Sequence, residues 1–278
     1  MIRFFTYSQF HGKTEPVGSD YIRSHQLIKY WPEAALYKYG ENPEALIFQK
    51  VFMSQDYQFP KHFQGKKILD ICDPMWLEGH AIVETVHVMD AVTCPTEALA
   101  EYMRQFHSNV VVIKDRFDLE MIPKPKKHIQ KAKTVVWFGY SHNADALRAA
   151  IPLIERLGLN LRIISNDDPI VNRWGMRPKD AWYKFVKYEE ATIYDELQKC
   201  DFAILPDGNR PEDRFKSNNK TIKAQLAGLP VAKTPEEVEL YMDAKARQKW
   251  FDDNYAEIAR EYDVRNSVNE MKELIRSL

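Results

Sequence analysis

Residues 200–232 read CDFAILPDGNRPEDRFKSNNKTIKAQLAGLPVA, and this stretch predicts a strand, a polar loop, a helix and a second strand. The apolar run 202–205 is the first strand, and the helix begins near 218–219. Gly228 is typical of a helix C-terminus, and 229–232 starts the second buried strand. The first amides of a helix have no partner inside the helix and point outward. Such a strand, loop and helix start therefore predict an anion site.

The predicted helix start is crowded with hydrogen-bond donors and positive charge. The side chains concerned are Lys216, Ser217, Asn218, Asn219 and Lys220. Cations at a helix N-terminus oppose the helix dipole, which costs free energy unless an anion lies between them. Lysines near a helix start are often only surface residues. The surrounding strand and loop favour an anion contact for Lys220, whereas both interpretations of Lys216 stay open.

The composition favours two domains of medium size. The chain has 278 residues, of which 45% are hydrophobic and 28% are charged, enough for one large core or two smaller ones. The formal net charge is -1, so no global field attracts nucleic acid or an anionic membrane. A generic polyanion-binding protein is therefore disfavoured.

The three cysteines and the N-terminus indicate a cytoplasmic protein. Cys72, Cys94 and Cys200 lie in or beside apolar runs without the paired spacing of a zinc or redox site, and we expect buried thiols and no metal. The N-terminal apolar run is too short for a signal peptide, and no segment approaches a membrane span. We expect a cytoplasmic chain, or one peripheral to a membrane.

Strands and helices alternate along the whole chain. In the first half, strands are predicted at 2–7, 67–72 and 110–113, with helices at 20–31 after Ser19 and at 97–106 after Thr96. In the second half, strands are predicted at 134–138, 159–165, 185–186 and 202–205, with helices at 143–157, 192–199 and 236–242. This alternation predicts an α/β protein with largely parallel sheets covered on both faces.

The lysine- and proline-rich segment 123–133, PKPKKHIQKAK, is interpreted as a linker. We therefore predict an N-terminal Rossmann-like domain over 1–125 and a C-terminal Rossmann-like domain over 126–242. Two amphipathic helices over 243–278, separated near Asp263, are expected to pack back across the domains. Ligands of such sheets bind beyond the carboxyl ends of the strands, so the expected site is a cleft between the two sheets.

Several segments of the second half resemble the donor-binding domain of retaining glycosyltransferases with the two-domain GT-B architecture. The matching segments are VVWFGYSHN (135–143), YDELQKCDFAILP (194–206) and KSNNKTIKAQLAGLPVA (216–232). The last has the family's basic residue and Asn-Lys pair before a helix that ends in Ala-Gly-x-Pro-Val. The first half is similar more loosely, through ILDICDP (68–74) and MDAVTCPTEALAEYM (89–103), and the resemblance implies that 1–125 is the acceptor-side domain.

Two positions depart from the family pattern. The family's better-known members place a glutamate five residues before the helix-ending glycine, where it holds the donor ribose, and an acidic residue eight positions earlier. Here these positions are Lys223 and Phe215. The carboxylate pair is absent, so ribose recognition must differ, and Asn219 or the acidic residues at 212–213 are the alternatives.

The resemblance implies a set of site residues. The implied donor-binding residues are Gly139, His142, Tyr188, Lys216, Ser217, Asn219 and Lys220, and the candidate catalytic residues are His11, His80 and Asp73. Basic side chains and helix amides, with no metal or other cofactor, would stabilise the diphosphate leaving group. Each histidine is alternatively structural or an exposed turn residue. Asp70, three residues before Asp73 on a predicted strand, is interpreted as structural.

The resemblance implies transfer of a hexose from a UDP- or GDP-sugar to a hydroxyl acceptor, with retention and without a metal. The acceptor class stays open among a glycan, a lipid-linked intermediate, a protein and a modified nucleobase. The alternative is a catalytically inert GT-B scaffold that binds a nucleotide or a partner protein. An NAD-dependent enzyme is disfavoured, because 139–144 reads GYSHNA and 12–19 reads GKTEPVGS, neither of which is Gly-x-Gly-x-x-Gly.

Overall fold

The computed structural model describes residues 1–52, 63–80, 82–176 and 182–278. The strands are β1 Ile2–Thr6, β2 Ala34–Leu36, β3 Ala45–Gln49, β4 Lys66–Asp70, β5 Ala91–Cys94, β6 Val110–Val112, β7 Thr134–Phe138, β8 Asn160–Ser165, β9 Tyr183–Lys187, β10 Phe202–Ile204 and β11 Val231–Ala232. They form two sheets in which every described pairing is parallel.

Helices follow most of the strands. The α-helices are α1 Tyr7–Phe10, α2 Gly18–Asp20, α3 Gln26–Lys29, α4 Ile82–Val86, α5 Glu97–Met103, α6 Asp145–Arg148, α7 Ile151–Arg156, α8 Ile193–Gln198, α9 Asn219–Leu226, α10 Pro235–Leu240, α11 Ala244–Glu261 and α12 Val264–Ser277. Two π-helical segments, Tyr21–His25 and Pro169–Arg173, and short 3-10 turns complete the helical structure. Within the described ranges, no helix is both long enough and apolar enough to cross a membrane.

The chain divides into two compact units. The first unit comprises Met1–Asp118, Arg210–Ser217 and Tyr262–Leu278. The second unit comprises Leu119–Asn209 and Asn218–Glu261. The chain therefore passes from one unit to the other four times. Where the sequence suggests a boundary at 125/126, the change of unit lies at 118/119.

The first unit is built on a six-stranded sheet in the order β2-β1-β3-β4-β5-β6. Its central strand β3, ALIFQ, is buried at all five positions, as expected for a parallel strand covered on both faces. Helix α12 closes one face, because Val264, Val268 and Met271 pack into the same core as Phe4 and Ile47. The C-terminal segment thus completes the core of the N-terminal sheet.

The second unit is built on a five-stranded sheet in the order β11-β10-β7-β8-β9. The central strand β7 carries the buried run Val135 to Phe138, and β8 supplies Ile163 and Ile164. Helix α9 covers this sheet through Ala224, which is fully buried in the same core. The order of the strands changes direction at β7, so the carboxyl ends of β7 and its neighbours form the edge where a ligand is expected.

Two of the predicted helices differ in detail from the observed ones. The predicted helix 143–157 is two helices, α6 and α7, because Pro152 in the first turn of α7 has no amide hydrogen to continue the earlier helix. The predicted N-cap Ser19 is wrong, since the helical run begins at Gly18 with Val17 as its N-cap. Thr96 does cap α5, as predicted, by accepting a hydrogen bond from the Leu99 amide.

The lysine-rich segment 123–133 packs onto the second unit at the end of α9. His128 is buried, its Nε2 lies 2.9 Å from the Gly228 carbonyl oxygen, and Arg247 Nε donates to its Nδ1 at 3.4 Å. A carbonyl only accepts and a guanidinium only donates, so His128 is neutral with its proton on Nε2. Gly228 has φ +84°, and a Cβ there would lie 2.7 Å from Pro125 Cβ. The segment is therefore fastened to the glycine that ends α9.

We expect Gly228→Ala to destabilise the protein more than Gly158→Ala. Both glycines have a left-handed backbone, at φ +84° and +66°, where any other residue costs about 1–2 kcal/mol. Only at Gly228 does the new methyl group meet Pro125, and overpacking adds about 1–3 kcal/mol. Denaturant unfolding followed by circular dichroism measures the two losses. Equal losses would show that the segment around Pro125 moves away without cost.

We also expect the stability of the second unit to fall as the pH drops below about 6.5, the ordinary pKa of histidine. Burial, and then the charges of Arg247 and Lys126, lower the pKa of His128 in spite of its bond to Gly228. Between the folded and unfolded pKa values the unfolded chain holds more protons, so acid favours unfolding. The free energy of unfolding should decline by up to about 1.4 kcal/mol per pH unit for this group.

The variant His128→Gln isolates this contribution. It should lose less stability than the wild type between pH 7.5 and pH 5.5, because glutamine cannot take up the proton. His87→Gln, at an exposed position, should keep the wild-type pH dependence. If His128→Gln and the wild type show the same slope, His128 is not the group that titrates.

Candidate functional site

The carboxyl end of β7 is followed directly by Gly139, the first of the predicted donor-binding residues. Gly139, the first residue after β7, has φ +145° and donates its amide to the Ile164 carbonyl at 3.1 Å. This backbone conformation is rare for residues with a side chain. The chain then turns through Ser141, whose amide donates to Asn166 Oδ1 at 2.9 Å. The ends of β7 and β8 are thus joined at this edge.

Lys220 fills the space that Gly139 leaves. A Cβ on Gly139 would lie 3.3 Å from Lys220 Cδ and 3.5 Å from Lys220 Nζ. The ammonium group lies 6.0 Å from the centre of the Trp137 ring, within the range of a cation–π contact. Lys220 is in the first turn of α9, so a positive charge lies where the helix amides point outward. Two residues predicted to bind the donor, Gly139 and Lys220, are therefore adjacent.

The other residues around the start of α9 divide between the two units. Asn218 is the N-cap, and within the described chain its side chain makes no capping bond to the helix. Asn219 is the first helical residue. Lys216 and Ser217 belong to the first unit, where Lys216 Nζ lies 3.4 Å from Asp213 Oδ1 and the Ser217 hydroxyl donates to Asp115 Oδ2 at 2.5 Å. Their donor contacts remain predictions.

His142 lies in the turn after β7, as predicted. It is exposed, and its ring stacks on Tyr140 with ring centres 5.7 Å apart and planes inclined by 19°. The pair stands on the 3-10 turn Ser141–Asn143, which follows Gly139 directly. An exposed imidazole on an aromatic neighbour can contact a ligand at this edge or remain a surface residue.

Tyr188, the first residue after β9, belongs to a polar cluster with the buried Lys223 and the partly exposed Glu190. Lys223 Nζ lies 2.8 Å from Glu190 Oε1 and 3.0 Å from the Tyr188 hydroxyl oxygen, and the Tyr188 hydroxyl donates to Glu190 Oε2. Burial lowers the pKa of Lys223, although Glu190 opposes this shift. Burial and then the charge of Glu190 raise the pKa of Tyr188, so its hydroxyl stays protonated.

The three candidate catalytic residues lie near one another at the carboxyl edge of the first sheet, around Lys50. Lys50 Nζ lies 2.6 Å from Asp73 Oδ2. Burial, followed by the charges of Lys13, His80 and Lys50, lowers the pKa of His11, so its imidazole is neutral near pH 7. His80 Nε2 lies 3.8 Å from Glu78 Oε2.

Lys50 has an unusual backbone. It has φ +52°, the single positive φ at a residue other than glycine among the described residues. Burial disfavours its charge, but the neighbouring Cys72 and Asp73 outweigh burial and raise its pKa. Its ammonium also lies 5.2 Å from the centre of the Tyr7 ring. A strained backbone at a charged residue that follows a strand is typical of a functional position.

Asp70 has the structural role predicted for it. Arg23 Nη2 donates to Asp70 Oδ1 at 2.5 Å, and the Thr93 hydroxyl donates to the same oxygen at 2.6 Å. Arg23 Nη1 also reaches Asp115 Oδ1 at 3.1 Å. Burial raises the pKa of Asp115, while Arg23 and the Ser217 hydroxyl oppose the shift. This network ties the ends of β4, β5 and β6 to the segment that precedes α9.

Two residues of these sites were not among the sequence candidates. Lys50 follows a predicted apolar run without any motif, so only the fold brings it to Asp73. Glu190 could have been found from the sequence through Lys223, because Lys223 lies in a helix that the sequence predicts to pack on the sheet. A buried lysine requires a carboxylate partner, and the acidic pair after β9 is a candidate for it.

Comparison with known proteins gives structural matches alone. No family model matches the sequence, and no curated protein matches it. HepE (Alr3699) of Anabaena, solved in complex with UDP, superposes with a TM-score of 0.65 at 13% identity over the whole of both chains. TarM gives a TM-score of 0.61 at 13% identity over 83% of this chain. The chain spans about half of TarM, 54% of its length.

The catalytic domain of starch synthase IV from Arabidopsis thaliana, bound to ADP and acarbose, is a third match. It has a TM-score of 0.55 and 11% identity, over 97% of this chain and 80% of that one. Identities of 11–13% support the fold and not the activity. With its two parallel sheets and these neighbours, the chain has the two-domain, Rossmann-like GT-B fold of glycosyltransferases.

Proposed function

We propose that this chain is a glycosyltransferase that holds a nucleoside-diphosphate sugar at the carboxyl edge of the second sheet. The observation that carries the proposal is Lys220, whose ammonium lies over Gly139 in the first turn of α9. A glycine without a Cβ, an outward-pointing set of helix amides and a cation together form a site for a diphosphate. Asn219, His142 and Tyr188 border the same edge as further proposed contacts.

The proposed chemistry is transfer of a hexose from a UDP- or GDP-sugar to a hydroxyl acceptor, with UDP or GDP as the leaving group. As the glycosidic bond breaks, negative charge develops on the diphosphate, and prearranged cations and amides lower the energy of that state. Lys220 and the start of α9 would supply this stabilisation without a divalent metal ion. Retention of configuration is part of the proposal. The acceptor is a glycan, a lipid-linked intermediate, a protein or a modified nucleobase.

In the first unit, His11, His80 and Asp73 remain the proposed catalytic residues. Burial, followed by the charges of Lys13, His80 and Lys50, lowers the pKa of His11 and so favours its neutral imidazole, which suits a group that accepts a proton or a hydrogen bond from a hydroxyl. Lys50 Nζ lies 2.6 Å from Asp73 Oδ2, so the two side chains form an ion pair at the end of the first sheet. A neutral imidazole can accept a proton from a hydroxyl group, which is the role proposed for a histidine in this unit.

The structural neighbours support the class of ligand. HepE was solved with UDP and starch synthase IV with ADP, and both are nucleoside diphosphates. Because the identities are low, support for nucleotide binding must come from the residues of this chain. For the diphosphate, that support is the position of Lys220 beside Gly139 in the first turn of α9.

A catalytically inert scaffold that binds a nucleotide or a partner protein is the second candidate. Two observations favour it. Lys216 and Ser217, predicted to contact the donor, bond to Asp213 and Asp115. A lysine, Lys223, also stands where the resemblance expects a carboxylate. An inert scaffold would bind UDP or GDP and turn over no sugar.

We expect Lys220→Met to weaken the binding of UDP or GDP by about ten- to a hundredfold. A hydrogen bond to a charged group contributes about 1.5–3 kcal/mol, and about 1.4 kcal/mol corresponds to a tenfold change in affinity. Isothermal titration calorimetry of the wild type and the variant measures the change. The thermal unfolding of both proteins without nucleotide should be similar, since the Lys220 side chain is only partly buried.

Lys199→Met is the matched control. Lys199 also lies in the second unit, at the end of α8, and its side chain is 52% exposed. Its loss should leave nucleotide affinity unchanged. If Lys199→Met and Lys220→Met weaken binding equally, the effect is one of overall charge, and the proposed diphosphate site is wrong.

Turnover separates the two candidate functions. We expect slow release of free sugar from the UDP- or GDP-sugar that binds, unaffected by EDTA, because water can replace the acceptor. A protein that binds the nucleotide but hydrolyses none of the sugar nucleotides, with or without an acceptor hydroxyl, would favour the scaffold. Complete loss of hydrolysis on addition of EDTA would contradict the proposed metal independence but not the proposed glycosyltransferase activity.

A further inference from the structure

Lys223, Glu190 and Tyr188 form a hydrogen-bonded cluster in the second unit. Lys223 is 5% exposed and lies in the second turn of α9. A buried ammonium group is costly unless it is paired, and Glu190 Oε1 at 2.8 Å provides the opposite charge. The Tyr188 oxygen at 3.0 Å accepts a second hydrogen bond from the same ammonium. Lys223 is therefore held in place from two sides.

Glu190 retains the capacity to bind more than this cluster. A carboxylate offers about four acceptor positions, two on each oxygen. Lys223 donates to Oε1 and the Tyr188 hydroxyl donates to Oε2, so one bond goes to each oxygen. The Glu190 side chain is 21% exposed, whereas that of Lys223 is 6% exposed. The Glu190 carboxylate is thus partly exposed, and Lys223 and Tyr188 hold it by hydrogen bonds.

Glu190 and Lys220 lie at the same edge of the second sheet. Helix α9 reaches across the sheet edge, because Lys220 lies against Gly139 after β7 while Lys223 contacts Glu190 after β9. Residues three apart on a helix are neighbours, with Cβ atoms about 5–6 Å from each other. The two lysines thus lie about one helical turn apart on α9, and their side chains reach the ends of β7 and β9, which β8 separates in the sheet. In a nucleotide, the ribose is the group next to the diphosphate.

The chemistry of the ribose matches that of Glu190. The 2′ and 3′ hydroxyl groups are two adjacent donors, and a carboxylate with two free acceptor positions can receive both. Acidic side chains at the carboxyl edge of Rossmann-like sheets bind ribose hydroxyls in this way. A hydrogen bond to an ionised acceptor is also stronger than one between neutral groups.

We propose that Glu190 binds the ribose hydroxyls of the nucleoside diphosphate and that Lys223 is the positioning residue that orients it. This assignment rests on the proposed nucleotide site at Lys220. It also accounts for the sequence departure at position 223. The carboxylate is not lost from the site but comes from the loop after β9, with a lysine in the helix as its partner. The acidic alternatives in the loop before α9 have partners of their own, since Arg210 bonds to Asp213 and pairs with Glu212.

The test compares nucleotides with and without the two hydroxyl groups. Calorimetry of the wild type with UDP, GDP, 2′,3′-dideoxy-UDP and 2′,3′-dideoxy-GDP measures how much the hydroxyls contribute. We expect the ribonucleotide that binds to be held at least about tenfold more tightly than its dideoxy form. Glu190→Gln should weaken binding of the ribonucleotide by about tenfold and leave binding of the dideoxy form nearly unchanged. The ratio of the Kd of the dideoxy form to the Kd of the ribonucleotide should therefore approach one.

Two further variants define the role of each residue. Lys223→Met removes the partner but keeps an apolar side chain of similar length, and should reduce the ratio because Glu190 is no longer oriented. Glu189→Gln, at the exposed adjacent residue, should keep the wild-type ratio. Circular dichroism of each variant confirms that it is folded. The wild-type ratio needs no variant, so the proposal can be tested even if a variant fails to fold.

The possible outcomes separate the two proposals. If the wild type binds none of the four nucleotides, the proposed nucleotide site fails, and this assignment fails with it. If the wild type binds ribose and dideoxy forms equally, the assignment of Glu190 is overturned while the diphosphate site stands. If Glu190→Gln weakens both forms by the same factor, Glu190 has only a structural role, and the assignment is likewise overturned.

Discussion

The second unit depends on the way helix α9 is fixed at both ends against the sheet. At its start, Lys220 occupies the space left by Gly139 after β7. At its end, Gly228 takes a left-handed backbone that leaves no room for a Cβ beside Pro125. Between these points Ala224 is fully buried in the core. These contacts determine which polar residues of α9 lie at the sheet edge.

Parallel sheets explain why the polar groups gather where they do. Strands that are covered on both faces are almost entirely apolar, so charged side chains are excluded from the sheet and collect at the strand ends. In the first unit this edge carries the Lys50–Asp73 pair and the buried bonds of Arg23 to Asp70. In the second unit it carries Lys220 and the Lys223–Glu190 pair. The two edges differ in chemistry, although both follow from the same packing rule.

The structural neighbours show how far the fold can be conserved when the residues are not. HepE superposes over its full length at 13% identity. A parallel sheet with its helices requires only apolar residues of suitable size along each strand, and many sequences satisfy this. A binding site requires particular groups at particular positions. In this chain the end of the second sheet carries the pair formed by Lys223 of α9 and Glu190 after β9.

The sequence by itself determined the α/β class, the alternation of strands and helices, and the helix that runs from Asn219 to its stop near Gly228. These features are local, because apolar periodicity, capping residues and glycine act within a few residues of the chain. The same reasoning made Lys220 a candidate anion contact, because it lies at a recognisable helix start, whereas Gly139 was a candidate through the family resemblance. It missed the break before Pro152 within a periodic apolar pattern.

Only the tertiary structure decided which residues meet. The pairing of Lys223 with Glu190 joins residues 33 positions apart, and Lys50 meets Asp73 across 23 positions. The Ser217 hydroxyl bonds to Asp115 across 102 positions, which assigns the segment before α9 to the first unit. Such contacts depend on strand order and on the crossing of the chain between units. Local patterns carry no information about either, because chain segments far apart in sequence come together only when the sheets form.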